Sequence, residues 1–200
     1  MADYLVKTFD SKSSIDFSSV PKALICNFKW REGYEPLSYA QVALVPGDGF
    51  YVRMISAEKE PLARFTEKGS PVCLDSALEF FVRFDPESMR YVNLETNANA
   101  ALLAQCGTSR HDRIDVSERF DAESIRTSDG WGVTFTLKMD DIEDLFGLSR
   151  NDFVPGYSFF ANFYKCGDET AAPHFGMWNE VNSQIPDFHR PEFFGRLVIG

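Results

Sequence analysis

The segment V-C-L-D-S-A-L-E-F-F-V-R-F-D-P-E-S-M-R-Y-V-N-L-E-T-N, Val72 to Asn97, carries two alternating runs on either side of Asp85-Pro86-Glu87-Ser88. In the first, Leu78, Phe80, Val82 and Phe84 share one face, and Ala77, Glu79, Phe81 and Arg83 the other. In the second, Val92 and Leu94 take one face, and Tyr91, Asn93, Glu95 and Asn97 the other. A period of two over this length is the pattern of half-buried strands. Asp-Pro followed by polar residues suits the turn between them.

The apolar faces of the two strands must coincide, because a one-residue slip sends them to opposite sides. One register that satisfies this pairs Phe80 with Leu94 and Val82 with Val92. It sets Glu79 opposite Glu95, Phe81 opposite Asn93 and Arg83 opposite Tyr91. A two-residue slip keeps the faces and changes the partners. In the first register two carboxylates stand roughly 5 Å apart at Cβ, which is repulsive unless something bridges them. A ligand, a cation, a Lys or Arg, or a shared proton would do so; the alternative is a solvated sheet face.

The rest of the chain reads mostly as further strands. Residues 3–9 suit a short edge strand. Ala23 to Trp30 alternates, with Leu24, Cys26, Phe28 and Trp30 on one side. Ala40, Val42 and Leu44 lead into Pro46-Gly47-Asp48-Gly49, and Phe50, Val52 and Met54 lead away, a hairpin signal. Residues 58–70 read as a loop with a short strand near Leu62 to Phe65; residues 98–106 have Ala and Leu that favour helix but a position between strands that favours an extended segment, the reading preferred; and residues 108–118, with Arg110, His111, Asp112 and Arg113, read as a charged loop or strand end. Trp131 to Lys138 is a strand with Trp131, Val133, Phe135 and Leu137 inward. Residues 140–148 form a helix capped by Asp140 and ended by Gly147. Ser158 to Lys165 is a strand, and Phe193 to Ile199 the last one. Between them, residues 166–191 are irregular and rich in Gly, Pro, Asn and aromatics, the kind of long connection that is usually functional. The expectation is an all-β chain forming a single domain, 1–200. Its fold is an antiparallel two-sheet β-sandwich, immunoglobulin- or jelly-roll-like, with one or two short helices.

Twenty basic against thirty acidic residues leave a net charge of −10, which opposes nucleic-acid backbones and anionic membranes. No run approaches the roughly 20 apolar residues of a membrane span. The start lacks an apolar signal-peptide core, so a cytoplasmic location is expected unless a leader was removed, in which case the protein is secreted or periplasmic. Cys26, Cys73, Cys106 and Cys166 are widely spread with no C-x-x-C pair, so zinc and redox motifs are not indicated and most of the thiols are expected to be reduced and buried.

Four segments resemble a known family in order and spacing: D-S-A-L-E-F-F (75–81); Y-V-N-L-E-T-N (91–97); N-F-Y-K-C-G-D (162–168) with P-H-F-G-M-W (173–178); and F-H-R-P-E-F-F-G-R-L (188–197). The chain, from about Lys22 onward, is similar to the family 9 carbohydrate-binding modules within the DOMON-like sandwiches. That resemblance implies a non-catalytic β-sandwich that binds the ends of glucose- or xylose-based chains between two Trp rings. Carboxylate, amide and Arg groups supply hydrogen bonds, and structural calcium is possible. By matching motif, Glu79 is a ligand contact, Asn93 and Glu95 lie on the neighbouring ligand-contacting strand, and Trp178 stands for one stacking Trp. Trp30 alternates with core residues and is expected to be buried; the second stacking ring and the Arg contact have no assigned position.

Sugars need amides and carboxylates to meet vicinal hydroxyls and an aromatic face under the ring, and Glu79, Asn93, Glu95, Asn97, His174 and Trp178 supply these. The expected partner is a mono- or oligosaccharide. Three other readings remain. One is a protein-interaction sandwich that binds no sugar. Another is a retaining glycosidase, whose two carboxyls also stand about 5 Å apart, although here both would lie mid-strand on one hairpin. The third is a haem-binding DOMON-like domain using His174, Met177 and His189.

Overall fold

The computed structural model describes residues 3–31 and 33–200. Its strands are β1 (Asp3–Thr8), β2 (Ala23–Ile25), β3 (Asn27–Phe28), β4 (Ser38–Val45), β5 (Gly49–Ser56), β6 (Ala77–Arg83) and β7 (Tyr91–Asn97). They continue with β8 (Leu102–Gly107), β9 (Ile114–Asp115), β10 (Ala122–Arg126), β11 (Trp131–Lys138), β12 (Ser158–Cys166), β13 (Phe175–Met177) and β14 (Gly195–Ile199). One α-helix, α1 (Met139–Phe146), follows β11. Among the described residues no helix is long and apolar enough to cross a membrane.

The strands form one continuous path, β10-β11-β5-β4-β1-β14-β12-β6-β7-β8-β9. The path curls on itself. Phe50 of β5 meets Phe84, just past β6, and Phe159 of β12 at 5.1 and 5.3 Å between ring centroids, so the two halves pack face to face around one core, consistent with a β-sandwich. Two separate antiparallel sheets were expected, and here the structure differs. β1 pairs in parallel with β14 through Asp3–Val6 and in parallel with β4 through Lys7 and Thr8, so the sheet is mixed and continuous. A strand that changes partners along its length makes the corner at which the sheet turns over. β1 is therefore central rather than the expected edge strand.

The strong sequence patterns translate directly. Trp131, Val133, Phe135 and Leu137 are all buried in the core. Gly47 turns the β4–β5 hairpin with φ +76°, a left-handed conformation that costs glycine little. Other expectations need correction. In β2 the inward residues are Ala23 and Ile25, while Leu24 and, just past the strand, Cys26 face solvent; Cys106 and Cys166 are buried and Cys73 half-buried. No strand forms near Leu62. The backbone N–H groups of Leu62, Arg64 and Phe65 donate instead to the side chains of Ser76 and Asp75. Asp140 does not cap α1, whose N-cap is Lys138; Asp140 pairs with Arg150. Gly147 does end the helix, in the left-handed conformation, its N–H donating to the Glu143 carbonyl. β10 was not foreseen; A-E-S-I-R shows no apolar alternation, and it pairs only with β11, as an edge.

One end of the core holds charge. The Lys165 ammonium is fully buried and lies 3.2 Å from a Glu58 carboxylate oxygen. Ser76 Oγ and Trp131 Nε1 also donate to Glu58, and Lys165 Nζ lies 2.6 Å from His174 Nε2. Lysine has only donors, so Nε2 accepts. Burial, and then the lysine charge, pull the His174 pKa down to about 4. Removing one member of a buried pair leaves its partner's charge unpaired, which costs roughly 3–5 kcal/mol. Lys165→Met is therefore expected to destabilise the domain by about that amount in chemical denaturation. Adding Glu58→Gln to it should recover part of the loss; no recovery would show that the pair is not the cause.

Candidate functional site

The β6–β7 ladder has the anticipated register: Phe80 opposite Leu94, Val82 opposite Val92, Glu79 opposite Glu95 and Phe81 opposite Asn93. The face carrying Glu79 and Glu95 is not solvated. Residues 167–190 fold back over it and, with Phe194, build a second apolar cluster from Ala77, Phe81, Tyr91, Tyr164, Met177, Val181 and Phe188. Glu79 and Glu95 are consequently 2% and 4% exposed.

A cleft of about 90 Å³ remains between that cover and the sheet. Glu79 and Glu95 line it together with Cys73, Cys166 and Asp168; Phe175, Pro186 and Phe188 give it an apolar wall, and Arg110, Asp187 and His189 complete it. Glu79 Oε1 accepts from the Cys166 thiol at 2.9 Å. Glu95 Oε1 accepts from Asn93 Nδ2 at 2.8 Å, and Asn93 Oδ1 in turn accepts from Arg113. Arg113 Nη1 also lies 3.3 Å from His189 Nε2, and Tyr91 OH lies 3.0 Å from Nδ1 of the same ring. An arginine can only donate, so Nε2 accepts, and the neutral ring carries its proton on Nδ1 and gives it to Tyr91.

The electrostatics follow from burial. Burial, and then the Glu95 charge, push the Glu79 carboxyl well above the ordinary range. Burial raises Glu95 to about 7 against the opposing pull of Arg113 and Asn93. Burial likewise raises Asp168, opposed by Arg110, and takes the Cys73 thiol up to about 12 with help from Glu95 and Glu79. His189 is lowered to about 2 by burial and then by Arg113 and Arg110, so it is neutral. The carboxyl pair thus holds a proton near neutrality, one of the bridges the register required.

Of the six residues singled out in the sequence, the structure brings Glu79, Asn93 and Glu95 together. Asn97 shares their face, but its amide is spent on Phe65 O and Asp75, and its oxygen on the N–H groups of Asn99 and Ala101. His174 belongs to the Lys165 network on the core side of β12. Trp178 packs on Phe163 and Tyr4, also on the core side. His174 and His189 therefore lie on opposite sides of the sheet and, with Met177, do not converge on one iron. Trp30 is half-buried, adopts φ +68° and packs against Phe175 and Phe188 at 6.0 and 5.8 Å, its indole N–H donating to Ser183 O. Sequence reasoning missed Phe175, Phe188 and the arginines. Once β8 pairs antiparallel with β7, Gly107 stands opposite Tyr91, and the R-H-D-R loop that follows must lie beside Asn93. Among the described residues no group of three or more His, Cys, Asp or Glu is placed to hold a metal ion.

The raised folded-state values fix a sign. Glu95 has its ordinary value when unfolded and about 7 when folded, so ionising it opposes folding fully above about pH 7, and the penalty fades as pH falls toward about 4.5. Glu95→Gln, which keeps the acceptor for Asn93, is expected to raise Tm at about pH 8, by roughly 2–4 °C per kcal/mol relieved, and to change it little at about pH 5. An equal effect at both pH values would contradict the shifted carboxyl.

The model of carbohydrate-binding family 9 matches residues 10–199. None of the curated proteins matches the chain. Among solved structures, a candidate carbohydrate-binding protein from Bacteroides uniformis ATCC 8492 is similar with a TM-score of 0.81 at 23% identity, covering 99% of each chain. A family 9 module from Caldicellulosiruptor kristjanssonii in complex with glucose gives 0.70 at 10% identity, covering 100% of this chain and 96% of that one. A family 9 module from the same organism in complex with cellotriose gives 0.67 at 12% identity, with 99% and 93% covered. At these identities the structural likeness concerns the fold. The family model spans nearly the whole sequence, and the chain belongs to carbohydrate-binding family 9.

Proposed function

We propose that the cleft over β6 and β7 binds a mono- or oligosaccharide and performs no chemistry on it. The observation that carries this is the pair of buried carboxyls, Glu79 and Glu95, facing a space walled by Phe175 and Phe188. Each carboxyl has one oxygen bonded inside the protein and one left for a ligand. A sugar hydroxyl both donates and accepts, so it fits a proton-sharing pair in either state. The cleft, with about 90 Å³ open to the centres of water-sized groups, exceeds what a single water needs and admits the hydroxyl-bearing edge of a sugar residue while the rest of a chain stays outside. Family membership supports the reading, as do the glucose and cellotriose held by the kristjanssonii modules.

Binding without hydrolysis fits the geometry. A glycosidase sets its carboxyls on either flank of the scissile bond, whereas Glu79 and Glu95 stand side by side on adjacent strands of one wall. Arg113 acts at one remove, fixing Asn93 and through it Glu95.

A glycan array with the purified domain, followed by calorimetry on the sugars it retains, tests the proposal. Loss of a charged hydrogen bond costs about 1.5–3 kcal/mol, so Glu79→Gln is expected to weaken binding roughly tenfold or more. Phe175→Ala is expected to do the same through lost ring contact, and Trp178→Phe to leave affinity near that of the parent. No binding of any glycan at millimolar concentration, or release of reducing sugar that is lost in Glu79→Gln, would overturn it.

A further inference from the structure

We propose that the cleft selects its sugar by charge, taking a residue with a free protonated amine, such as a 2-amino-2-deoxyhexose at the end of a deacetylated chitin-type chain, over neutral or anionic sugars. The inference rests on the sugar-binding reading and narrows it to a class.

The first support is the partner set of the two carboxyls. Glu79 receives one weak donor, the Cys166 thiol, and Glu95 one amide, Asn93. Neither donor is charged. Among the described residues neither carboxyl takes part in an ion pair, although both are almost wholly buried and lie directly opposite each other. A buried carboxylate is ordinarily matched by a cation.

The neighbouring cations are otherwise engaged. From the loop after β8, Arg113 donates to His189, to Asn93 and to the Arg110 carbonyl, and Arg110 pairs with Asp187 at 3.1 Å. Lys165 points to the other side of β12 and pairs with Glu58. The remaining groups facing the pair are the thiols of Cys73 and Cys166, the neutral His189 ring and the carboxyl of Asp168; Arg110 and Arg113 pull on Glu95 from their own partners, and neither bonds a carboxyl of the pair. The cation this arrangement lacks would come from the ligand.

The donor count favours an amine. An ammonium carries three N–H donors and could give one to each free carboxylate oxygen while its ring rests against Phe175 and Phe188. An acetamido group offers one N–H and no charge, so it can satisfy only one of the two free carboxylate oxygens. A uronic acid would add a further negative charge beside Glu79, Glu95 and Asp168.

The test is calorimetry at neutral pH, in buffers without amines, with glucosamine, glucose, N-acetylglucosamine and glucuronate, and with the β-1,4-linked disaccharides of the first three. The amino sugar is expected to bind roughly tenfold or more tightly than its neutral counterpart, and Glu79→Gln and Glu95→Gln each to reduce that ratio to about threefold or less. Binding the ammonium should also expel the proton shared by the pair. Titration of the parent in buffers of different ionisation enthalpy should then report proton release with glucosamine and none with glucose, a readout that does not depend on any variant folding. If glucose binds as tightly as glucosamine, the charge selection fails and sugar binding stands. If preference persists in both variants, or no proton is released, the carboxyl pair is not its source and the proposal fails. If no sugar binds, both readings fall together.

Discussion

The cross-strand pairing of Glu79 with Glu95 is fixed from the other side of the sheet. Phe80 against Leu94 and Val82 against Val92 belong to the main core, and a slip of one residue would expel them. The hydrophobic core thereby holds two carboxyls so close that ionising both is unfavourable. The cost of the arrangement is met by burial of Phe and Val on one face, while its chemistry is presented on the other. The backbone positions of both carboxyl-bearing residues are fixed for the same reason.

The second constraint is the cover. Residues 167–190 turn what would be a hydrated sheet face into a second apolar cluster, and the dielectric change this brings shifts Glu79, Glu95, Asp168 and His189 together. The same segment is anchored on the core side by His174 on Lys165 and by Trp178 on Phe163. The residues that fasten the cover and those that line the cleft lie on one segment but on opposite sides of β12. A disturbance of the Lys165–Glu58 pair would therefore reach the cleft through the cover.

How much of this was legible depends on periodicity. Alternation located the β4–β5 and β6–β7 hairpins, β11 and β12, and matching of apolar faces narrowed the β6–β7 pairing to registers two residues apart, of which the structure takes the one that sets Glu79 against Glu95. It identified Glu79, Asn93 and Glu95 because strand parity determines where a side chain points. Residues 167–190 have no period, so His174 and Trp178, chosen for side-chain type, could not be assigned to a side of the sheet. Lys165 carries a signal of its own: it has the same parity as Phe159, Ala161 and Phe163, and a lysine at a core position demands a buried partner. The short strands β10 and β13 and the parallel seating of β1 were invisible because they arise from long-range pairing rather than from local pattern.

The seat of β1 has a consequence for how the domain is made. Tyr4 pairs with Leu197 and Val6 with Ile199, nearly the full length of the sequence apart, and the same strand reaches β4. During synthesis β4, β5 and the β6–β7 hairpin all leave the ribosome before the strand that completes the join. Until β14 arrives, β12 and β1 present open hydrogen-bonding edges, and the sheet cannot turn over at its corner. Non-local pairing of this kind makes closure slow and leaves unpaired edges available to other chains. The late arrival of Gly195–Ile199 would thus act as a vectorial checkpoint, with the finished sandwich, and the burial that defines its cleft, appearing only when β14 docks.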